Sequence, residues 1–312
     1  MIEYTIKRLF TGIFVIFAVT ALLFAIMQFM PGDAIQLIAN PRVSPERIEE
    51  LREAWGLNKP AYVQYFYWLS HVLKGDMGTS ISTGQQVSVL IKARFPYTML
   101  LTGLSLILQY IIAVPLGLIT ASNKNTRADG IMVVLTIILW SMPPFWLGIL
   151  LMLVFGIWLK VLPISGYSGL SSLILPLMTM TLPSLASVFR LARSEVLEVL
   201  REKYVLTAYA KGLNRKRVLT FHVLRNALIP VTVMFFLSLP WLIGGSVIVE
   251  SVFAWPGMGG LLWKAISNQD YPVVQGIIFI IAILTVISNI LGDILSAFLD
   301  PRIRLEIKGD NL

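Results

Sequence analysis

Six stretches of the chain carry no charged residue: 9–32, 95–123, 130–159, 161–189, 226–249 and 271–292. Each exceeds the roughly 20 residues that cross a bilayer core of about 30 Å as a helix. They predict an all-α polytopic membrane protein with six spans, at about 9–30, 97–121, 130–159, 172–189, 228–249 and 273–299. Pro143 and Pro144 are expected to kink the third span, and Pro176 and Pro183 the fourth, which neighbouring helices tolerate in a membrane. The first run follows Lys7 and Arg8 much as a signal peptide would. It is too long for such a peptide's apolar region and continues MQFMPGD without a small-x-small cleavage site, so it reads as an uncleaved span.

The polar stretches between the spans have structure of their own. Residues 31–96 form a long segment in which SPERIEELREAWG predicts a helix, with Ser44 as cap, Pro45 in the first turn, Glu46 and Glu49 at its positive end and Gly56 as the stop. A second helix, AYVQYFYWLSHVLKG, ends at Gly75, and its aromatic side chains are expected to rest on the membrane interface or the bundle top. Residues 250–272, ESVFAWPGMGGLLWKAISNQDYP, fit either a segment dipping back against the bundle or an interfacial loop anchored by Trp255 and Trp263. Residues 190–227 hold the third such segment. SEVLEVLREKYVLTAYAKG predicts an amphipathic helix capped by Ser194 and ended by Gly212, with Ala208 and Gly212 four apart on one smooth face. NRKRVLTFHVLRNAL predicts a second helix running on into the fifth span. Two short helices in an elbow, small at the corner and basic at the rim, suit entry into a cleft on a soluble partner.

Composition agrees with a lipid solvent: 56% of residues are hydrophobic and only 13% charged, where soluble domains are nearer a quarter charged. The net charge of +8 is mostly a topology signal. With the N-terminus inside, short inside segments hold Lys7 and Arg8, Lys124 and Arg127, nine basic residues from Arg190 to Arg225, and Arg302, Arg304 and Lys308; short outside loops hold only Lys160 and Lys264. Both termini are then cytoplasmic, and residues 31–96 and 250–272 lie outside. No aromatic–basic interleave accompanies the charge, so nucleic acid is not an expected partner. The absence of cysteine excludes a disulfide framework and a thiolate metal site. There is no phosphate-cradling Gly-x-x-x-x-Gly-Lys-Ser/Thr loop, and the two histidines, His71 and His222, fall on opposite sides of the membrane. Asp293 is the one ionisable residue clearly within a span, with Glu250 at a span end, which is thin support for an ion relay. A stand-alone secondary transporter or channel is therefore the second reading, and a membrane enzyme the third.

The segment KYVLTAYAKGLNRKRVLTFHVLRNALIPV resembles the coupling loop of ABC-importer permeases, in particular the dipeptide/oligopeptide/nickel branch. The general pattern is Glu-Ala-Ala, three residues, Gly, nine residues, Ile-x-Leu-Pro. Ala208, Gly212 and Leu224 fall on it, while Leu206 and Thr207 replace its first two residues, His222 the isoleucine and Arg225 the proline. GDMGTS at 75–80, SMPPFW at 141–146, ESVFAWPGMG at 250–259, DYPVVQG at 270–276 and DPRIR at 300–304 extend the resemblance over nearly the whole length.

What the resemblance implies is a type I importer permease fold: residues 1–30 as N-terminus and first span, 31–96 as an extracytoplasmic helical insertion, 97–299 as the core, and 300–312 as a cytoplasmic tail. It implies no cofactor on this chain, with ATP and Mg held by two partner ATPases, and further partners in a second homologous permease, an extracytoplasmic solute-binding protein and the bacterial or archaeal membrane. Tyr204, Thr207, Ala208, Ala210, Lys211, Gly212, Leu213, His222, Leu224, Arg225 and Asn226 are the implied ATPase-coupling residues. Glu250, Phe253, Trp255, Pro256, Gly257 and Gly259 are candidates for an outer gate, and Gln109, Ser141 and Asn289 for pathway lining. Di- or oligopeptides are the expected cargo; nickel chelates, glutathione and oligosaccharides share the architecture.

Overall fold

A computed structural model describes residues 2–28 and 58–299. The helix expected at 44–56 and the DPRIR tail lie outside the described residues. The described residues are helical, and their only strand-like feature is a single bridge between Thr79 and Gln86. The helices are α1 (Ile2–Gln28), α2 (Ala61–Leu73), α3 (Val87–Ser122), α4 (Arg127–Ser141), α5 (Pro144–Leu151), α6 (Ser171–Val199), α7 (Lys203–Ala210), α8 (Arg215–Arg217), α9 (Arg225–Val252), α10 (Met258–Ser267) and α11 (Tyr271–Leu299). Wider π-helical turns follow α5 (Met152–Trp158) and join α8 to α9 (Val218–Leu224).

Among the described residues five helices are long and apolar enough to cross a membrane, and a broken pair makes up to six. The expected third span is that pair. α4 and α5 meet at 105° rather than forming one kinked helix. Pro143 is the cap and Pro144 the first residue of α5, so neither can donate to the turn before it and the helix restarts in a new direction. By contrast α6 runs unbroken through Pro176 and Pro183. α3 starts about ten residues before the expected span: Lys92 and Arg94 mark where the apolar run begins, and a helix need not stop there.

The chain divides into two compact units. The first comprises residues 1–98 and 256–287. Here Tyr65 of α2 packs edge-on against Phe17 and Phe24 of α1 and hydrogen-bonds Thr20 at 2.9 Å. The loop after α2 is fastened to the residue preceding α11. The Asp270 carboxylate, buried, accepts from the Ser80 hydroxyl at 2.5 Å and from the Ile81 and Ser82 amides at 3.0 and 3.1 Å. Gly276 lets α11 close on α3, since a β-carbon there would sit 2.7 Å from Val87 Cγ1. The GDMGTS and DYPVVQG motifs thus form one structural joint.

The second unit comprises residues 99–255 and 288–312. Its seam is α3 against α6. Ala113, Gly117 and Ala121 recur every fourth residue on α3 and meet Phe189, Ala192 and Val196 of α6. Small residues at this spacing let helix backbones approach closely in a membrane. At the end of the seam Arg193 grips Asp129 of α4 with two parallel bonds of 2.8 Å.

Candidate functional site

The 190–227 segment is built on the end of α6. Ser194 does not cap a new helix as expected. Phe189, Ala192, Val196 keep one face of α6 buried, Arg193 is pinned to Asp129, and nothing breaks the backbone before Leu200. A short bend follows, and α7 begins after Glu202 without a side-chain cap. Its end was legible. Gly212 adopts φ +79°, its amide bonds the Tyr209 carbonyl, and the Leu213 amide reaches back to Ala208. This pair of bonds is a Schellman stop, which favours glycine at the left-handed position. Asn214 then caps the next helix by accepting from the Arg217 amide at 2.8 Å. The elbow is present, with the added π-helical turn carrying it into α9.

The expected smooth docking face is not where the residues place it. Ala208 is buried, together with Val205, against Ala121, Val196, Val218, Val223 and Ala227. Its small side chain lets α7 lie close on the chain's own helices, and Leu213 packs into the same cluster. Arg215 ties the elbow to the end of α3 through the Ser122 carbonyl and Asn123. Outward-facing side chains are instead apolar: Leu206 is 61% exposed and Phe221 70%, beside Tyr204 and Tyr209. A cluster of exposed apolar and aromatic side chains of this kind marks an interaction surface. Thr207, Ala210, Lys211, Gly212, Arg225 and Asn226 are also exposed, whereas His222 and Leu224 are half-buried. Asn226 donates to the His222 carbonyl at 2.8 Å, one turn back. Leu206, Tyr209 and Phe221 stand outside the expected set because residue spacing does not say which face of a short helix turns inward.

The second candidate group falls within the fold rather than at an open mouth. In the second unit, Glu250 and Phe253 are buried at the end of α9. The Phe253 carbonyl accepts from the Gly166 amide at 2.8 Å, and its ring lies over Gly148. Trp255 is 2% exposed and stands edge-on to Tyr167, so it is not an interfacial anchor; Trp263, at 59%, remains on the surface. In the first unit, Gly257 caps α10 and Gly259 is buried in it; the Met258 amide bonds Thr98 Oγ1 at 2.8 Å. The third group does not share one environment. Gln109 is 1% exposed, and neither its amide oxygen nor its nitrogen has a partner, while Ser141 and Asn289 are exposed.

A family described as the binding-protein-dependent transport system inner membrane component matches residues 113–305, and its N-terminal counterpart matches residues 1–102. The chain belongs to this family. Relatives agree over almost their whole length. The chain is 40% identical to the "Oligopeptide transport system permease protein AppB" of Bacillus subtilis (strain 168), over 97% of this chain and 99% of that one. It is 37% identical to the "Dipeptide transport system permease protein DppB" of Lactococcus lactis subsp. cremoris (strain MG1363), over 98% and 100%. It is also 37% identical to the "Glutathione transport system permease protein GsiC" of Salmonella choleraesuis (strain SC-B67), over 97% and 99%. The protein is thus a multi-pass inner-membrane permease of an ABC importer that includes ATPases and a binding protein. Such a permease has no catalytic activity or cofactor of its own, and ATP hydrolysis belongs to a separate subunit.

Proposed function

We propose that this permease imports di- or oligopeptides, pairs with a second homologous permease around the pathway, and takes its drive through α7, seated in a groove of a cytoplasmic ATPase. The observation that carries the coupling role is the two-sided build of the elbow. Val205 and Ala208 cement the underside of α7 to α3, α6 and α9, while Leu206 and Tyr209 of α7 and Phe221 of the following π-helical turn are exposed. Force applied to the outer face is then delivered to α6, whose Arg193–Asp129 pair carries it to α4. The peptide relatives favour peptide cargo, and the glutathione relative favours a small γ-linked peptide as the second reading. Leu206→Glu and Tyr209→Glu replace apolar surface by charge without touching the underside. Each should release the ATPases in co-purification and abolish peptide uptake at matched expression. Wild-type assembly and uptake in the double variant would end the coupling role. Ala208→Arg is unsuitable here, because it would break the loop's own core.

The reading also orients the chain, with both termini and residues 190–227 in the cytoplasm and residues 31–96 and 250–272 outside. The natural sequence has no cysteine, so Lys216→Cys and Gln85→Cys are clean reporters. An impermeant maleimide added to intact cells should label position 85 and spare 216; the reverse would invert the topology.

A further inference from the structure

The non-spanning helix α2 carries a surface that the transport role does not use. Its 13 residues contain no Lys, Arg, Asp or Glu, yet Lys59 and Lys74 stand just beyond its two ends. At about 1.5 Å per residue it is roughly 20 Å long, too short to cross a bilayer core of about 30 Å. One side of it is anchored to two membrane helices. Tyr65 hydrogen-bonds Thr20 of α1, and Trp68 stands edge-on to Phe279 of α11 at 6.1 Å.

Those contacts measure how deep α2 lies. The charge-free run of α1 continues beyond Thr20 at least to Gln28, eight residues or about 12 Å along the helix. The span of α11 begins at Tyr271, eight residues before Phe279, or about 12 Å. Both helices therefore set the middle of α2 beside apolar, charge-free turns rather than at a charged end. Twelve residues after Trp68 the chain is back at the start of α11, where Ser80 bonds Asp270.

The polar groups of α2 suit that depth. The Ser70 hydroxyl turns to the Tyr67 carbonyl at 2.7 Å, His71 Nδ1 meets the same carbonyl at 2.9 Å, and Gln64 donates to the Lys59 carbonyl at 2.8 Å. These three side chains find partners on α2 or just before it, which lessens their need for water, while Trp68 Nε1 is buried without a partner. Beside the anchored face, α2 presents Tyr62 (67% exposed), Phe66 and Leu73, with Phe66 also 6.3 Å from the Phe17 ring of α1, and Tyr67 is exposed next to His71.

We infer that α2 is embedded part-way into the leaflet at the C-terminal end of α1, with Tyr62, Phe66 and Tyr67 in direct contact with lipid. Aromatic side chains at the headgroup level and flanking lysines reaching for the phosphates are the chemistry that holds such a helix. The occupant of the face is the acyl and glycerol region of phospholipid, not a protein partner.

The test uses the assembled importer with cysteine-free partner subunits, in nanodiscs of phosphatidylethanolamine and phosphatidylglycerol. A nitroxide is attached at Tyr62→Cys, Phe66→Cys or, as an aqueous control, Thr83→Cys, and retained peptide uptake verifies each labelled complex. If labelling at Phe66 prevents assembly, Tyr67→Cys replaces it. Power saturation should show oxygen relaxing positions 62 and 66 several-fold more than a water-soluble nickel chelate, with the order reversed at 83. The two reagents together should place position 66 below the lipid phosphates. Stronger relaxation by nickel would put the face in water. Exclusion of both reagents would put it under a second permease or a binding protein. Either result overturns the proposal.

Discussion

Gly117 is the residue whose replacement should report most directly on how the second unit is held together. A β-carbon at this position would lie 2.9 Å from Ala192 Cβ and 3.0 Å from the Arg193 backbone nitrogen. Ordinary contacts are 3.4–4 Å, so α3 and α6 would have to part by about 0.5–1 Å for alanine and further for leucine. Arg193 N belongs to the helix itself, so no side-chain rotation relieves the contact. Overpacking of this kind costs about 1–3 kcal/mol, and Gly117→Leu belongs at or above the upper end. The displaced turn of α6 also carries Arg193 to Asp129 and, one turn on, Val196 to the underside of α7. Loss of stability should therefore come with loosened support of the elbow. Gly103 supplies the control. It lies in the same helix with nothing within 4 Å of its β-carbon position, so Gly103→Ala gains helix propensity of up to about 1 kcal/mol without a clash. Thermal unfolding of the purified permease in detergent, followed by size-exclusion and tryptophan fluorescence, should move down for Gly117→Ala, further down for Gly117→Leu, and not down for Gly103→Ala. A Gly117→Leu variant as stable as the wild type, or an equal shift for the two alanine variants, would refute the close-approach argument.

Two further outcomes follow from the joints of the fold. Asp270→Ala removes the acceptor of the Ser80 hydroxyl and the Ile81 and Ser82 amides and should cost about 1–3 kcal/mol, with Asp270→Asn milder; limited proteolysis at residues 76–86 in the outer loop should accelerate in proportion. Ala254 holds φ +48° at the stop of α9, a conformation that costs an L-residue about 1–2 kcal/mol, so Ala254→Gly should raise the unfolding temperature; a lowered midpoint would show that the methyl group matters more than the strain.

The legible and illegible parts of this chain differ for physical reasons. Charge-free runs marked the membrane helices because burying charge in lipid is costly, and that signal needs no knowledge of packing. Helix ends at Gly75 and Gly212 were readable because both residues adopt the left-handed conformation that glycine favours. α9 and α10 stop by the same hydrogen-bond pattern at Ala254 and Gln269, whose side chains gave no such sign. The proline pair at 143–144 signalled a disturbance in the third span but not its size, since a kink and a 105° break begin with the same missing amide. At the elbow, the helix stop at Gly212 was readable while the direction in which Ala208 faces was not. Ala208 looked like exposed smoothness and is in fact the close contact that seats α7 on its own chain. The Ala113–Gly117–Ala121 spacing was present in the sequence all along, and a search for small residues four apart would have found it.

The bond between Ser80 and Asp270 also bears on how the protein is made. Its partners are separated by 190 residues of chain. At synthesis rates of about 5–20 residues per second, the loop waits roughly 10–40 s for its acceptor to emerge. For most of that time α1 and α3 are already available to the membrane, while the Ile81 and Ser82 amides have no carboxylate to meet. A nascent permease released before residue 270 would carry this loop unfastened, and a membrane protease would find in it a marker of incompleteness that the finished chain conceals.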